Sequence, residues 1–263
     1  MKTIRNYHYQ ARKRFGQNFL IDEMIINKII SLISVKEDDN LIEIGGGMGA
    51  LSLPLSKKLN NFTIIELDRD LIAILKNNTN FDKGNINIIN EDVLKVDFNQ
   101  FNNNLRLVGN LPYNISTPLL LKTIDCVDKI QDVHFMLQKE VALRICANPN
   151  NKIYGRLSVL MAYYYHRQVI LEVPFTSFSP QPKVQSAIVR LVPRQIKNKV
   201  LNLSNFHKII KLSFAMRRKT LYNNLKTIFN VQQLEKTGIN GQRRAETLSV
   251  DEFITLSNFY EQQ

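Results

Sequence analysis

The sequence is poor in the residues that build disulfide frameworks and metal sites. Its 263 residues include two cysteines, four histidines and no tryptophan. Cys126 and Cys146 are too few for a disulfide framework, and they do not stand at the spacing of metal ligands. We therefore expect a reduced, cytoplasmic protein with no bound metal.

Long hydrophobic runs are also missing. No apolar stretch approaches the roughly 18 residues that a membrane span needs, and none follows the basic N-terminus as in a signal peptide. The sequence thus predicts neither membrane insertion nor secretion. The composition is that of a globular protein, with 44% hydrophobic and 22% charged residues, and the length suits one large domain or a large domain with a small one.

Acidic residues are scarce at the two ends of the chain, which together account for the net charge of +12. Residues 1–20 contain five basic and no acidic residues, residues 21–193 contain eighteen of each, and residues 194–263 contain twelve basic and five acidic ones. Clustered lysine and arginine bind polyanions because they release condensed counterions from phosphates. The ends therefore indicate a nucleic-acid partner, although basic drift without such a partner would give the same pattern.

Short β-rich runs alternate with helical segments in the first part of the chain. This order is typical of a mostly parallel sheet with helices on both faces. A polar, basic stretch then marks a boundary, and the remaining residues predict helices only, the last beginning at a capping box of Ser249 and Glu252. We predict an α/β domain over residues 1–195, with residues 1–20 as a basic segment, and a small helical domain over residues 196–263. The predicted strands are 41–44, 62–67, 86–89, 105–108, 133–137, 169–173 and 187–192, the last two as a closing antiparallel pair.

Residues 41–49, Leu-Ile-Glu-Ile-Gly-Gly-Gly-Met-Gly, predict a strand that runs into a glycine-rich turn. Glycine permits positive φ and close approach to a ligand. Gly45 and Gly47, with Glu66 at the end of the second strand, suit a nucleotide-like cofactor whose ribose diol Glu66 would hold. The turn alone does not separate NAD from S-adenosylmethionine. Glu43 favours S-adenosylmethionine, because methyltransferases commonly place an acid there for the amino-acid end of the cofactor, and Asp92 is placed to accept from its adenine amino group.

The fourth predicted strand runs into Asn110, Leu111, Pro112 and Tyr113, which predict methyl transfer to an exocyclic nitrogen of a base. Such a nitrogen is a poor nucleophile because its lone pair is conjugated into the ring. An asparagine carbonyl and a neighbouring backbone carbonyl that accept its hydrogens favour a more tetrahedral nitrogen with its lone pair aimed at the methyl group. Proline fixes the backbone, and the tyrosine offers a face for an extruded base.

A second aromatic residue, Phe178, lies in a proline-rich loop and is placed to cover the other side of the base. Lys183 in the same loop is placed to contact a phosphate. Taken alone, this loop would also suit a rigid turn with a core phenylalanine.

Six motifs in order make the sequence resemble the ribosomal RNA adenine N6,N6-dimethyltransferases, and within them the bacterial small-subunit branch. The motifs are residues 14–20, 43–49, 110–118, 138–142, 178–184 and 217–221, and the resemblance covers essentially the whole chain. It implies a Rossmann-like class I methyltransferase domain that binds S-adenosylmethionine and a helical domain that docks on ribosomal RNA.

The resemblance also implies roles for individual residues. Asn110 would serve both cofactor and target, while Tyr113 and Phe178 would sandwich the target adenine. The predicted catalytic residues are Asn110, Leu111, Pro112, Tyr113 and Phe178. The predicted cofactor-binding residues are Asn18, Leu20, Gly45, Gly47, Glu66, Asp92 and Asn110, and the predicted RNA-binding residues are Arg12, Lys13, Arg14, Lys183, Arg217, Arg218 and Lys219.

The substrate that the resemblance implies is a pair of adjacent adenines in the 3′-terminal hairpin loop of 16S ribosomal RNA. Each would be methylated twice, within the immature small subunit, by a monomeric enzyme. Two alternatives stay open: a 23S ribosomal RNA adenine methyltransferase that confers macrolide resistance, and a factor that acts mainly in ribosome assembly. A dinucleotide oxidoreductase would leave the Asn110–Tyr113 motif and the basic ends unexplained.

Overall fold

The computed structural model describes residues 9 and 12 and the ranges 16–78, 85–196 and 198–263. The chain divides into two compact units. Unit 1 comprises residues 1–142 and 168–193, and unit 2 comprises residues 143–167 and 194–263.

The described residues contain nine strands and ten α-helices. The strands are β1 (Phe19–Leu20), β2 (Asn40–Ile44), β3 (Asn61–Glu66), β4 (Asn85–Asn90), β5 (Leu105–Asn110), β6 (Ile130–Gln138), β7 (Tyr165–Val173), β8 (Phe178–Ser179) and β9 (Ser186–Pro193). The helices are α1 (Glu23–Ile33), α2 (Ser52–Ser56), α3 (Arg69–Lys76), α4 (Ser116–Ile124), α5 (Lys139–Cys146), α6 (Arg156–Tyr164), α7 (Leu203–Ser213), α8 (Leu221–Leu225), α9 (Val231–Lys236) and α10 (Val250–Glu261).

A seven-stranded sheet in the order β4-β3-β2-β5-β6-β9-β7 forms the centre of the α/β architecture. The first five strands of this order are parallel, and β9 is antiparallel to β6. The parallel strands read as nearly continuous apolar runs because both faces of the sheet are covered, and Ile42, Ile64 and Leu107 are fully buried. Every predicted strand lies within an observed one, apart from one residue by which 62–67 passes the end of β3. The predicted closing pair is adjacent, with β9 between β6 and β7.

Helix α1 begins at an N-cap and has one apolar face. The Asp22 side chain accepts hydrogen bonds from the amides of Met24 and Ile25, which satisfies donors that the first turn leaves without partners. The isoleucines of its buried face, Ile26, Ile29, Ile30 and Ile33, recur at helical spacing and join the core. This face of the helix thus packs on the sheet beside Leu41 of β2 and Phe62 of β3.

Unit 2 is larger than the predicted helical domain. The predicted domain boundary after residue 195 is close to Arg194, where the second segment of unit 2 begins. Residues 143–167, however, which the sequence placed in the first domain, group with unit 2. Aromatic residues explain this, since the Tyr163 and Phe206 rings lie 4.9 Å apart and the Tyr154 hydroxyl donates to the carbonyl of Leu248 at 3.0 Å. Helix α10 begins at the predicted capping box, whereas the short helix α9 was not predicted.

The described ranges lack both a membrane-spanning helix and a cluster of metal ligands. Within them no helix has the length and apolar character to cross a membrane. The same ranges contain no group of three or more histidine, cysteine, aspartate or glutamate side chains arranged to hold a metal ion.

Candidate active site

A cavity of about 320 Å³ lies in unit 1, where β2, β3 and β5 end. Open α/β sheets bind ligands at the carboxyl ends of strands, where the chain connections on the two sides diverge, and β2 lies between β3 and β5. The structure brings together every residue predicted for cofactor or target. The cavity is lined by Asn18, Leu20, Gly45, Gly47, Glu66, Asp92, Asn110, Leu111, Pro112, Tyr113 and Phe178.

The glycine turn and Glu66 form one hydrogen-bonded unit. Gly45 and Gly47 have φ values of +74° and +55°, a region that glycine enters without steric cost. The Glu66 carboxylate accepts the amide of Gly47 at 3.0 Å and the amide of Asp68 at 2.9 Å. Burial raises the pKa of Glu66, and the backbone bonds partly oppose this shift. A carboxylate held in this way has further lone pairs to accept two hydroxyls, which fits a ribose diol.

Glu43 lies under the turn and is 2% exposed. Its Oε2 atom has no hydrogen-bond partner among the described residues, and the residue lines the cavity. Burial raises the pKa of Glu43 to about 8; the Ser52 hydroxyl opposes this shift and the neighbouring Glu66 carboxylate adds to it. An unpartnered buried carboxyl at a cavity wall fits a ligand that carries a positive charge, such as the ammonium of an amino-acid group.

The free energy of unfolding should therefore fall as pH rises from 4.5 to about 8, the two pKa values of Glu43 in the unfolded and the folded chain. Folding raises the pKa of this carboxyl from 4.5 to about 8, so between these values the folded chain holds a proton that the unfolded chain releases. Relative to wild type, we expect the melting temperature of ligand-free Glu43→Gln to rise by at least about 3 °C more at pH 9 than at pH 5. Scanning calorimetry measures it. The exposed Glu91→Gln serves as control, and an equal difference at both pH values would contradict the expectation.

The amide of Asn110 has a defined orientation. Its Nδ2 atom donates to the backbone carbonyl of Asn18 at 3.0 Å. Because a carbonyl oxygen only accepts hydrogen bonds, Nδ2 must face Asn18, and Oδ1 points away from it. An acceptor is thereby fixed at the end of β5, beside the cavity.

The two predicted aromatic residues differ in their surroundings. The Tyr113 hydroxyl lies 3.0 Å from the Ser186 hydroxyl on β9, which orients a half-buried ring. Phe178 is 2% exposed and lies on β8, opposite Leu20 of β1. Phe178 thus forms part of the cavity wall, and its stacking on a base stays a prediction.

Several lining residues were missed by the sequence reasoning. Gln17 and Phe19 line the cavity, and a Cβ on Gly47 would lie 3.4 Å from the Phe19 ring. Both residues lie inside the motif of residues 14–20, and membership of that motif is the only feature of the sequence that points to their place at the cavity. The two-residue strand β1 has no hydrophobic periodicity that would reveal its position.

The predicted RNA-binding residues lie in several places. Arg12 pairs with Asp68 at 3.2 Å and with Asp70, while Lys183 is exposed on unit 1. In unit 2, residues 217–219 are exposed, and Arg217 pairs with Glu246 at 3.0 Å. Lys13 and Arg14 lie outside the described residues.

The sheet order, the glycine turn after β2 and the acid at the end of β3 define a class I methyltransferase that uses S-adenosylmethionine. The sequence profile described as ribosomal RNA adenine dimethylase matches residues 8–262. The chain belongs to this family, as its motifs predicted.

Individual relatives support the assignment. The ribosomal RNA small subunit methyltransferase A of Legionella pneumophila (strain Corby) is 49% identical over 252 residues, which cover 95% of this chain and 98% of the relative. The protein of the same name from Neisseria meningitidis serogroup C is 45% identical over 95% of this chain and 96% of its own length. The crystal structure of a dimethyladenosine transferase from Plasmodium falciparum has a TM-score of 0.80 and 25% identity, covering 90% of this chain and 95% of that one.

Proposed function

We propose that the chain methylates the N6 amino groups of two adjacent adenines in the 3′-terminal hairpin loop of 16S ribosomal RNA. Each adenine receives two methyl groups from S-adenosylmethionine, during assembly of the small subunit. The observation that carries the proposal is the cavity in which the glycine turn, Glu66, Asp92 and the oriented amide of Asn110 meet. The identity to relatives named small subunit methyltransferase A favours the small-subunit RNA over the 23S alternative.

The residues present fit the cofactor. Glu66 accepts the ribose hydroxyls and Asp92 accepts from the adenine amino group. Glu43, whose Oε2 atom has no partner among the described residues, would hold the ammonium of the methionine end together with Asn18 and Leu20, which line the same cavity. The cofactor, when bound, supplies an electrophilic methyl group on a sulfonium sulfur.

The target adenine is handled by residues at the end of β5. Asn110 Oδ1 and the Leu111 carbonyl accept the hydrogens of N6, which directs its lone pair toward the methyl group. Pro112 holds this backbone, and Tyr113 stacks on the base, with Phe178 on its other side. Rate arises from positioning more than from proton transfer, since no strong base lies in the motif.

Basic residues outside the cavity bind the ribosomal RNA in this proposal. Lys183 on unit 1 and residues 217–219 on unit 2 contact phosphates in this proposal, because exposed basic side chains supply most of the affinity for RNA. A monomer in the cytoplasm, acting without a metal, is the form that we propose.

The test is methyl transfer from labelled S-adenosylmethionine to immature small subunits and, in parallel, to 23S RNA. Primer extension and mass spectrometry locate the modified nucleotides. We expect dimethyladenosine at the two adjacent adenines of the small-subunit hairpin alone. Label only in 23S RNA would support the alternative of a 23S methyltransferase that confers macrolide resistance. RNA binding without any label would support the assembly-factor alternative.

A further inference from the structure

Asp68 binds the side chains of Tyr9, Arg12 and Gln17. These belong to the N-terminal segment, a term that here covers the described residues 9, 12 and 16–20. The Tyr9 hydroxyl donates to Asp68 Oδ2 at 2.6 Å, the Gln17 amide donates to the same atom at 3.3 Å, and Arg12 Nη1 contacts both carboxylate oxygens at 3.2 and 3.3 Å. The Asp68 side chain is 1% exposed. Burial by itself raises the pKa of Asp68, but the hydrogen bonds from Tyr9, the Asp70 amide and Gln17, together with the charge of Arg12, hold it below its usual range. A buried carboxylate with so many donors is a strong attachment point.

The segment that Asp68 holds forms one wall of the cavity. Residues 16–20 all line it, and the Tyr9 ring packs edge-on against Phe19 with centroids 5.8 Å apart. Gln17 also accepts the backbone amide of Arg12 at 2.8 Å. The attachment therefore fixes the residue that precedes Asn18.

Asn18 connects the attached segment to Asn110 at the proposed reaction centre. Its backbone carbonyl accepts from Asn110 Nδ2, so the place of Asn18 decides which way the Asn110 amide faces. A continuous path of contacts runs from Asp68 through Gln17 and Asn18 to Asn110.

We propose that Asp68 is a positioning residue, which fastens the N-terminal segment on the cofactor cavity and through it orients Asn110. The proposal rests on the proposed function for the nature of the bound cofactor. It also gives Arg12 a second role, because its guanidinium belongs to the attachment and not only to RNA binding.

The Asp68 side chain accepts a further hydrogen bond, which decides the choice of variant. It is the N-cap of α3 and accepts the amide of Asp70 at 3.0 Å. Asparagine is an equally good N-cap, so Asp68→Asn keeps the cap and removes the charge that holds Tyr9 and Arg12. Asp70→Asn is the matched control. The Asp70 side chain is 59% exposed, and of the three residues that bind Asp68 it pairs only with Arg12.

The experiment is calorimetric titration of the full chain with S-adenosylhomocysteine, together with kcat and KM for methyl transfer. For Asp68→Asn we expect Kd and the cofactor KM to rise about tenfold, with a melting temperature within about 2 °C of wild type. Asp70→Asn should stay within about twofold. Tyr9→Phe, which keeps the ring and does not touch the cap, should weaken binding less, and should add nothing in the Asp68→Asn background.

Wild-type affinity in Asp68→Asn would overturn the proposal. If that variant loses stability, Tyr9→Phe decides, and wild-type affinity in Tyr9→Phe would then overturn it. Failure of the wild-type chain to bind S-adenosylhomocysteine is a separate outcome, and it would count against the proposed function.

Discussion

Replacing Asn110 by alanine is expected to slow methyl transfer by a factor on the order of 10²–10³ at saturating cofactor and RNA. The variant loses the Oδ1 acceptor that favours a tetrahedral N6 and also releases the contact between Nδ2 and Asn18. RNA affinity should change by less than about twofold, because basic residues outside the cavity supply it. Single-turnover methylation and a filter-binding titration of the same particle measure the two quantities.

A matched control is available on the surface. Asn103 is exposed in the loop before β5, and Asn103→Ala removes a side chain of the same type that does not line the cavity. Its rate should equal that of wild type. Equal losses of RNA affinity and turnover in Asn110→Ala would contradict the proposed role, since they would make the residue a general support of binding.

Asn110→Asp tests whether the orientation of the side chain matters in addition to the presence of an acceptor oxygen. The carboxylate keeps two acceptor oxygens but has no hydrogen to donate to the Asn18 carbonyl, so two acceptors would face each other there. We expect a rate close to that of Asn110→Ala. A rate near wild type would show that the acceptor alone is needed and that its orientation through Asn18 is not.

The cavity could be predicted from the sequence because its main parts are local in the chain. A glycine turn directly after a strand, an acid at the end of the next strand and the motif that begins at Asn110 each follow a strand end. Parallel strands then bring those ends to one edge of the sheet. Spacing along the chain was therefore enough to name Gly45, Glu66 and Asn110 without coordinates.

The parts that could not be predicted depend on contacts between distant residues. The antiparallel pairing of β1 with β8 joins residues about 160 positions apart, and two residues give no periodicity to detect. The attachment of Arg12 to Asp68 is similar, since a basic N-terminus reads as an RNA contact until its carboxylate partner is seen. Residues 143–167 join unit 2 through the rings of Tyr154 and Tyr163, whose partner rings, Phe214 and Phe206, lie beyond residue 200 in the chain.

A buried ion pair supports the strand that presents Asn110. Arg106 on β5 donates from Nε and Nη2 to the two oxygens of Asp132 at 2.9 and 2.8 Å, and from Nη1 to Asp39 at 2.6 Å. It also donates to the carbonyls of Ile33 and Ser34 at the end of α1. All five donors of the guanidinium are thereby used, and the cation lies at the carboxyl end of a helix, where the helix dipole favours it.

Asp132→Ala should therefore lower the free energy of unfolding by about 3–5 kcal/mol, because it leaves the Arg106 cation buried without its two-point partner. Urea denaturation of the full chain measures the loss. Lys139 and Glu172 form an exposed pair at 2.7 Å in the same unit, and Lys139→Ala should cost less than about 1 kcal/mol. A loss in Asp132→Ala as small as that of the exposed pair would mean that water or a rearranged Asp39 replaces the missing carboxylate. The network would then contribute little to the support of β5, and the orientation of Asn110 would depend on the N-terminal segment.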